Sequence, residues 1–549
     1  MHAPADLVIS GADVYTMDAA RRWAQAIAIR DGRIAAVGTE SEVRDVVGGA
    51  AEVVHLPGRM VVPGFQDSHV HAPFAGRYRL HVSLHDLPGV DAYRDAVAAY
   101  AAAHPDDPVI FGGGWAMEHF AGGTPTKDLL DDVIPDRPVF LVSRDIHAAW
   151  ANSRAFELAG ITRSTPDPPD GRYERDPITG EPNGTMHEGA FIALQGRTVP
   201  APTRAEWERA ILVAQAHLHS LGVTGWQDAW TLPETLQAYV SLSEREELSA
   251  HVVAALWWDR HRGEEQLEDL VEQRRWGTVG NVRASAVKIM TDGIIENFTA
   301  AMIDPYLAPE GPPGENRGLA YLEAEALASA VTRLDALRFQ AHMHAIGDRA
   351  VRNALDACEA ALRTNGRRDS RHHVAHLQVV QPPDIPRFGE LGVIANCQPY
   401  WAQMEPQMDR LTVPFLGEER ARLQYPFASL LRSGATLAFG SDWSVTTPDP
   451  LREMEVAVTR VGPDHRANAP FLPDERLPLP DAIAAFTMGS ARAQFNDRDC
   501  GSLERGKFAD LAVIDRNLFD GAPIGEARVE LTIVGGRVVY DAAVAGGGR

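Results

Sequence analysis

Cysteine is nearly missing from this chain. Its 549 residues hold three, Cys358, Cys397 and Cys500, far apart and without a Cys-x-x-Cys pair. That spacing argues against a disulfide framework and against a cysteine-built zinc ribbon. Positive charge is also scarce: 52 Lys and Arg face 75 Asp and Glu, a net charge of −23. Such a balance repels nucleic acid and anionic membrane, so neither is an expected partner. No apolar run approaches the ~18 residues of a membrane span. The opening stretch, MHAPADLVISGADVYTMD, lacks the basic-then-apolar pattern of a signal peptide. The expectation is a cytoplasmic enzyme acting on a small molecule, with a homodimer as the working assembly. Hydrophobic content of 45% and charged content of 23% are those of an ordinary globular protein. The length exceeds one small core and implies a large catalytic domain with additions.

The two ends resemble each other. Residues 26–37, AIAIRDGRIAAV, and 531–540, LTIVGGRVVY, each place β-rich runs around a two-residue turn, Asp31-Gly32 and Gly535-Gly536. Such pairs suit the primed hairpin turns, which need positive φ. Neither hairpin is stable alone, so the termini are expected to join in one small β-sandwich domain, from 1–60 and 500–549. Between them, β-branched runs recur at 61–71, 223–230, 249–258, 284–293, 339–347, 372–378, 392–400 and 435–443. Helical signals separate several of them: a Thr203-x-x-Glu206 capping box and amphipathic stretches at 323–337 and 418–434. Alternating units of this kind predict an α/β fold, a (β/α)8 TIM-like barrel over 61–499. The first two runs are about 150 residues apart, more than a crossover needs. The excess, about 75–200, is expected to form a lobe inserted after strand one, on the catalytic face.

One stretch raises a chemical question. PGFQDSHVHAPFAG (63–76) ends an apolar run with His69 and His71, which project to one side of a strand. They are either two neighbouring structural histidines or half of a metal site. Other polar residues fall at the ends of later runs: His342 and His344 in HMHAIGD, His376 in VAHLQ, Asp442 in FGSDW and Lys288 in VKIMTDG. Strand ends converge at a barrel mouth, and His with carboxylate suits zinc and related metals. Lysine has no lone pair while protonated. From spacing alone the plainer reading of Lys288 is a salt bridge to Asp292.

The ordered set resembles the amidohydrolase superfamily, and more narrowly its amidohydrolase-3 branch, which includes N-substituted formamide deformylases. The matching stretches are VPGFQDSHVH, GGW, DIHAAWANS, KIMTDGIIENFTAAMIDPY, HAIGDRA, HLQ, GSDW and GSLERGKFADLAVID. They span nearly the whole chain. The resemblance implies one or two divalent metal ions, zinc foremost. It implies that His69 and His71 hold the first metal, that Lys288 carboxylated to a carbamate bridges two, and that His344 and His376 hold the second. Asp442 would touch the first metal and serve the attacking water as proton shuttle. The implied activity is hydrolysis of a non-peptide C–N bond in an N-substituted amide or formamide. A one-metal deaminase or cyclic-amide hydrolase is the alternative, and a barrel without chemistry a further one, which the six filled ligand positions oppose.

Several residues have weaker assignments. His342 shares a strand face with His344, as outer support or reserve ligand. Asp348 either orients His344 or starts a helix. Ser441 has no triad partners in view. His147 and Trp150 in DIHAAW, with Trp115, Tyr400, Trp401 and Trp443, are expected together to line a substrate pocket, although each alone suits core packing as well.

Overall fold

The computed structural model describes residues 6–47, 52–307 and 314–545. Eight parallel strands form a nearly closed barrel in sequence order: β1 (Phe65–Val70), β2 (Val223–Thr231), β3 (His251–Trp257), β4 (Val282–Met290), β5 (Gln340–Ala345), β6 (His373–His376), β7 (Ile394–Cys397) and β8 (Leu437–Phe439). Each pairs in parallel with the next. Strands buried on both faces need continuous apolar or internally bonded residues, and β1 and β5 are buried at every position. The capping box at Thr203 and Glu206 forms with both of its hydrogen bonds and starts helix Arg204–Ser220. The stretch 323–337 contains helix Ala324–Ala336. The stretch 418–434 is not one helix: it splits into Glu418–Ala421 and Phe427–Arg432, with Pro426 at the second N-cap. Proline supplies no N–H and disfavours a helical residue before it.

Two further sheets flank the barrel. Strands from both ends of the chain share one eight-stranded sheet, joined where Met60–Pro63 pairs antiparallel with Leu511–Ile514. Both terminal hairpins turn through positive φ, at Asp31 (51°) and Gly32 (73°) and at Gly535 (53°) and Gly536 (76°). The run 61–71 therefore serves two sheets and divides at Gly64, where a Cβ would lie 2.4 Å from Thr224 side-chain atoms. A six-stranded sheet lies between β1 and β2 in the chain. Its order is Gly171–Arg175, Pro182–Glu188, Ala148–Ala151, Val139–Ser143, Ile110–Trp115 and Val82–Ser83. Among the described residues no helix is long and apolar enough to cross a membrane.

Candidate active site

β1 supplies the first two histidines. His69 lies within the strand, and His71 caps the following helix, Ala72–Leu80. Their rings meet edge to face at 5.4 Å. Asp442 arrives from the turn after β8, with Oδ1 3.3 Å from His69 Nε2 and 3.0 Å from His71 Nε2. Two backbone bonds clip that turn to β1: Asp442 N–H donates to His69 O (2.7 Å) and His71 N–H donates to Trp443 O (2.8 Å). Gly440 permits this approach, since a Cβ there would lie 2.4 Å from His69 N. Beneath them Asp67 accepts from His69 N–H and Ser441 N–H, each at 3.0 Å, and from Ser441 Oγ–H at 2.6 Å. The Ser441 hydroxyl is thus a tether between β1 and the β8 turn.

The remaining candidates come from β4, β5 and β6. The His344 and His376 rings lie 4.5 Å apart, and His376 is 4.7 Å from His69. His376 Nδ1 stands 3.9 Å from Asp442 Oδ2. Lys288 brings Nζ to 3.4 Å from His69 Nε2. The barrel mouth thus brings together His69, His71, Lys288, His344, His376 and Asp442, all buried. His342 sits one layer deeper, its Nε2 2.8 Å from His69 Nδ1, and so steadies that ring. One expectation is corrected, and one open choice is settled. Lys288 forms no ion pair with Asp292, whose oxygens accept from the N–H groups of Ala301, Ile346 and Gly347. Asp348 does not orient His344; it accepts from Ile303 N–H and Gln381 Nε2 at the start of helix Asp348–Asn365. Asp292 is the carboxylate beside His344, 3.5 Å from its Nε2.

Electrostatics prepare these groups as ligands. Burial, reinforced by Lys288, pushes His69 and His344 well below the usual imidazole range, and burial with neighbouring cations does the same to His376. Burial lowers His71 as well, although Asp442 opposes it. Neutral imidazoles keep the lone pairs that metals bind. Burial also lowers the Lys288 ammonium to about 7 against the pull of Asp442. His71 Nδ1 and His376 Nδ1 are buried with no hydrogen-bond partner, and Asp442 Oδ1, though close to His69 and His71 Nε2, receives no well-aligned hydrogen bond. A buried carboxylate oxygen without a well-aligned donor costs free energy. A cation held between His69, His71 and Asp442 removes that cost, and these residues also form a compact candidate ligand group by distance. The donor set therefore fits a divalent metal. His376 (φ 77°) and Asp442 (φ 56°) are left-handed non-glycine residues, a backbone state that persists only where the surroundings enforce it.

The inserted sheet reaches the same mouth. His147 Nδ1 lies 2.9 Å from Glu188 Oε1, which also accepts from Asn297 Nδ2 (3.1 Å) and Thr299 Oγ (3.0 Å). Burial alone would lower His147, but Glu188 raises it to about 9. Burial would raise Glu188, but His147 and its other donors hold it at about 2. The cavity above the histidines encloses about 1060 Å³, open mouth included. Its wall includes His147, Glu188, Trp401, Trp230, Trp257 and Arg144. Trp401 stacks on His376 at 5.1 Å, and Trp230 and Trp257 stack at 4.6 Å beside His71.

Four aromatic residues expected in the pocket stand elsewhere. Trp115 and Trp150 are fully buried in the lobe, with indole N–H groups donating to Leu141 O and Thr126 O. Tyr400 and Trp443 line an outer cleft that shares Arg144, Glu405, Val445 and Thr446 with the mouth cavity. Sequence reading missed Glu188, Trp230 and Trp257. The tryptophans end or nearly end β2 and β3, and strand ends at a barrel mouth were a usable signal. Glu188 offered none, because it comes from the insertion.

A family model described as Amidohydrolase family, of the amidohydrolase-3 branch, matches residues 52–540. The chain belongs to the amidohydrolase family. Protein LONG AFTER FAR-RED 3 of Arabidopsis thaliana is 32% identical, covering 98% of this chain and 92% of that protein. An N-substituted formamide deformylase of Arthrobacter pascens is 29% identical, covering 98% of each. An uncharacterized metal-dependent hydrolase of Pyrococcus furiosus superposes with a TM-score of 0.70 at 27% identity, covering 93% of this chain and 99% of that one. This amidohydrolase is a metal-dependent hydrolase acting on carbon–nitrogen bonds.

Proposed function

We propose that this amidohydrolase cleaves small N-substituted amides, formamides foremost. The carrying observation is the meeting of His69, His71 and Asp442, with a carboxylate oxygen that receives no well-aligned hydrogen bond, at the floor of a tryptophan-walled cavity. In this reading His69, His71 and Asp442 would hold one metal, zinc foremost, His344 and His376 would hold a second, and carbamylated Lys288 would serve both. Bound there, divalent metal supplies Lewis acidity toward a carbonyl and lowers the pKa of water.

The residues have separate tasks. The neutral fraction of Lys288 is the nucleophile that adds carbon dioxide, forming an N–C bond and releasing one proton as the carbamate. His342 fixes the His69 ring from below. Asp442 takes a proton from the attacking water onto a carboxylate oxygen and returns it to the leaving nitrogen. His147, anchored by Glu188, contacts substrate from the lobe side. Trp230, Trp257 and Trp401 exclude water and receive an apolar N-substituent. The full-length similarity to a formamide deformylase supports this substrate class.

One observation favours the one-metal alternative. Among the described residues of the mouth, and leaving lysine aside, His69, His71 and Asp442 are the one set of three His, Cys, Asp or Glu residues whose ligand atoms all lie within 4.8 Å of one another. A hydrolysis screen of metal-loaded protein separates the readings. N-substituted formamides should turn over in preference to acyl amino acids, cyclic amides and aminated heterocycles. Ammonia release from heterocycles without formate release from formamides would sink the proposal.

A further inference from the structure

A second constellation lies at the other end of the barrel. His251 opens β3, and so stands at the floor, far along the strand from the mouth. Its Nε2 is 3.0 Å from Asp510 Oδ2. The same carboxylate oxygen lies 3.4 Å from Cys500 Sγ. The three ligand atoms all fall within 4.8 Å of one another. Cys500 and Asp510 are buried, while His251 keeps a partly open edge.

We propose that His251, Cys500 and Asp510 form a structural site for a soft divalent cation such as zinc, distinct from the catalytic mouth. Thiolate, imidazole and carboxylate are zinc's donor types, and the partly open side of His251 leaves room for a fourth ligand such as water. Bonds of about 2.0–2.3 Å at tetrahedral angles put neighbouring donors about 3.3–3.8 Å apart. The two distances above lie close to that range.

The surroundings support each ligand separately. Asp510 Oδ1 accepts from Gly535 N–H at 2.8 Å, which fixes the carboxylate and leaves Oδ2 facing the other two groups. The His251 ring stacks on Phe508 at 5.0 Å, which sets its orientation. Lys507 Nζ bonds the Cys500 carbonyl, holding that backbone in place. Besides Asp510, the charged groups Arg283, Asp499 and Lys507 act electrostatically on Cys500. Binding replaces the thiol proton on Sγ and, when His251 is protonated, the proton on its Nε2 as well; both leave to water as metal enters. The site would join three pieces: barrel strand β3, the returning segment at Cys500, and the hairpin turn at Gly535 of the terminal sheet. Metal there stabilises the seating of that sheet and takes no part in the reaction.

Cobalt provides the test, because thiolate ligation gives cobalt(II) a near-ultraviolet charge-transfer band. No cysteine lines the mouth cavity, so the band does not come from the mouth, and the Cys500→Ser variant assigns it to the floor site. Whole protein is stripped with chelator, given excess cobalt(II), desalted and analysed for cobalt content and spectrum. Wild type should show the band, and His69→Ala should keep it. Cys500→Ser should lose the band and about one cobalt per chain. His251→Asn serves as a second variant and should weaken the band even if Cys500→Ser folds poorly. Cobalt-loaded wild type without the band would overturn the proposal and leave the three residues as a hydrogen-bonded tie.

Discussion

Glu188 carries a left-handed backbone (φ 53°) at the point where it meets His147. Such a conformation is unfavourable for glutamate and is retained where several bonds over-determine it. Here Asn297, Thr299 and His147 do so. The signs of the two shifts fix a stability test. His147 is raised from 6.5 to about 9, so its contribution is complete below pH 6.5 and is lost as pH rises through about 9. Glu188 is lowered from 4.5 to about 2, so its contribution is complete above pH 4.5 and is lost as pH falls through about 2. Thermal unfolding of metal-free wild type and Glu188→Gln should differ most at about pH 5.5 and much less at about pH 9.5. A gap that stays constant across that range would mean the pair is not charged as described. At this scale the sequence was most readable where residues end a strand: alternation and strand-end placement brought His69, His71, His344, His376 and Asp442 into one frame. Lys288 needed the family resemblance, since its spacing favoured a salt bridge. Glu188 lay in an insertion with no period to count. Trp115 and Trp150 looked like pocket residues because they adjoin matching motifs, yet large aromatics contribute most when buried in cores.

Elements were legible in kind and less so in extent. All eight barrel runs are strands, but β8 has shrunk to Leu437–Phe439, and its motif GSDW forms a turn instead. The cause is local. The turn must bring Asp442 back over β1, and Gly440 is the point of closest approach to His69. The run 61–71 looked continuous because both of its halves are β-rich; the division at Gly64 depends on Thr224 from a distant strand, a contact that no local pattern reveals. Gly440→Val should therefore destabilise the fold by about 1–3 kcal/mol through overpacking. It should also separate Asp442 from the histidines and lower metal content. Urea unfolding together with elemental analysis checks both effects. Unchanged stability with full metal content would show that the turn tolerates a side chain and that the seam at His69 is looser than its distances imply.

Across the whole molecule, one barrel presents two differently built ends. The mouth gathers buried histidines, a lysine and a carboxylate in a cavity whose wall includes His147 and Glu188 of the insertion. The floor meets the sheet formed by both termini, near His251 and Asp510. The acidic composition, scarce cysteine and alternating pattern already pointed to a barrel enzyme acting on a small molecule. The lobe's own sheet order could not be read, because mixed pairing depends on contacts distant in sequence. The central claim is that the mouth residues hold a metal and use it to hydrolyse an amide. The most direct measurement is kcat on an N-substituted formamide together with bound metal, on the same samples of wild type and Asp442→Asn. Wild-type turnover should vanish on metal removal and return in proportion to metal restored. Per bound metal, Asp442→Asn should lose about 10²–10⁴-fold in kcat, the scale of general acid–base catalysis. Metal-free wild type that hydrolyses the amide at the full rate, or fully metallated Asp442→Asn with near-normal kcat, would contradict the account.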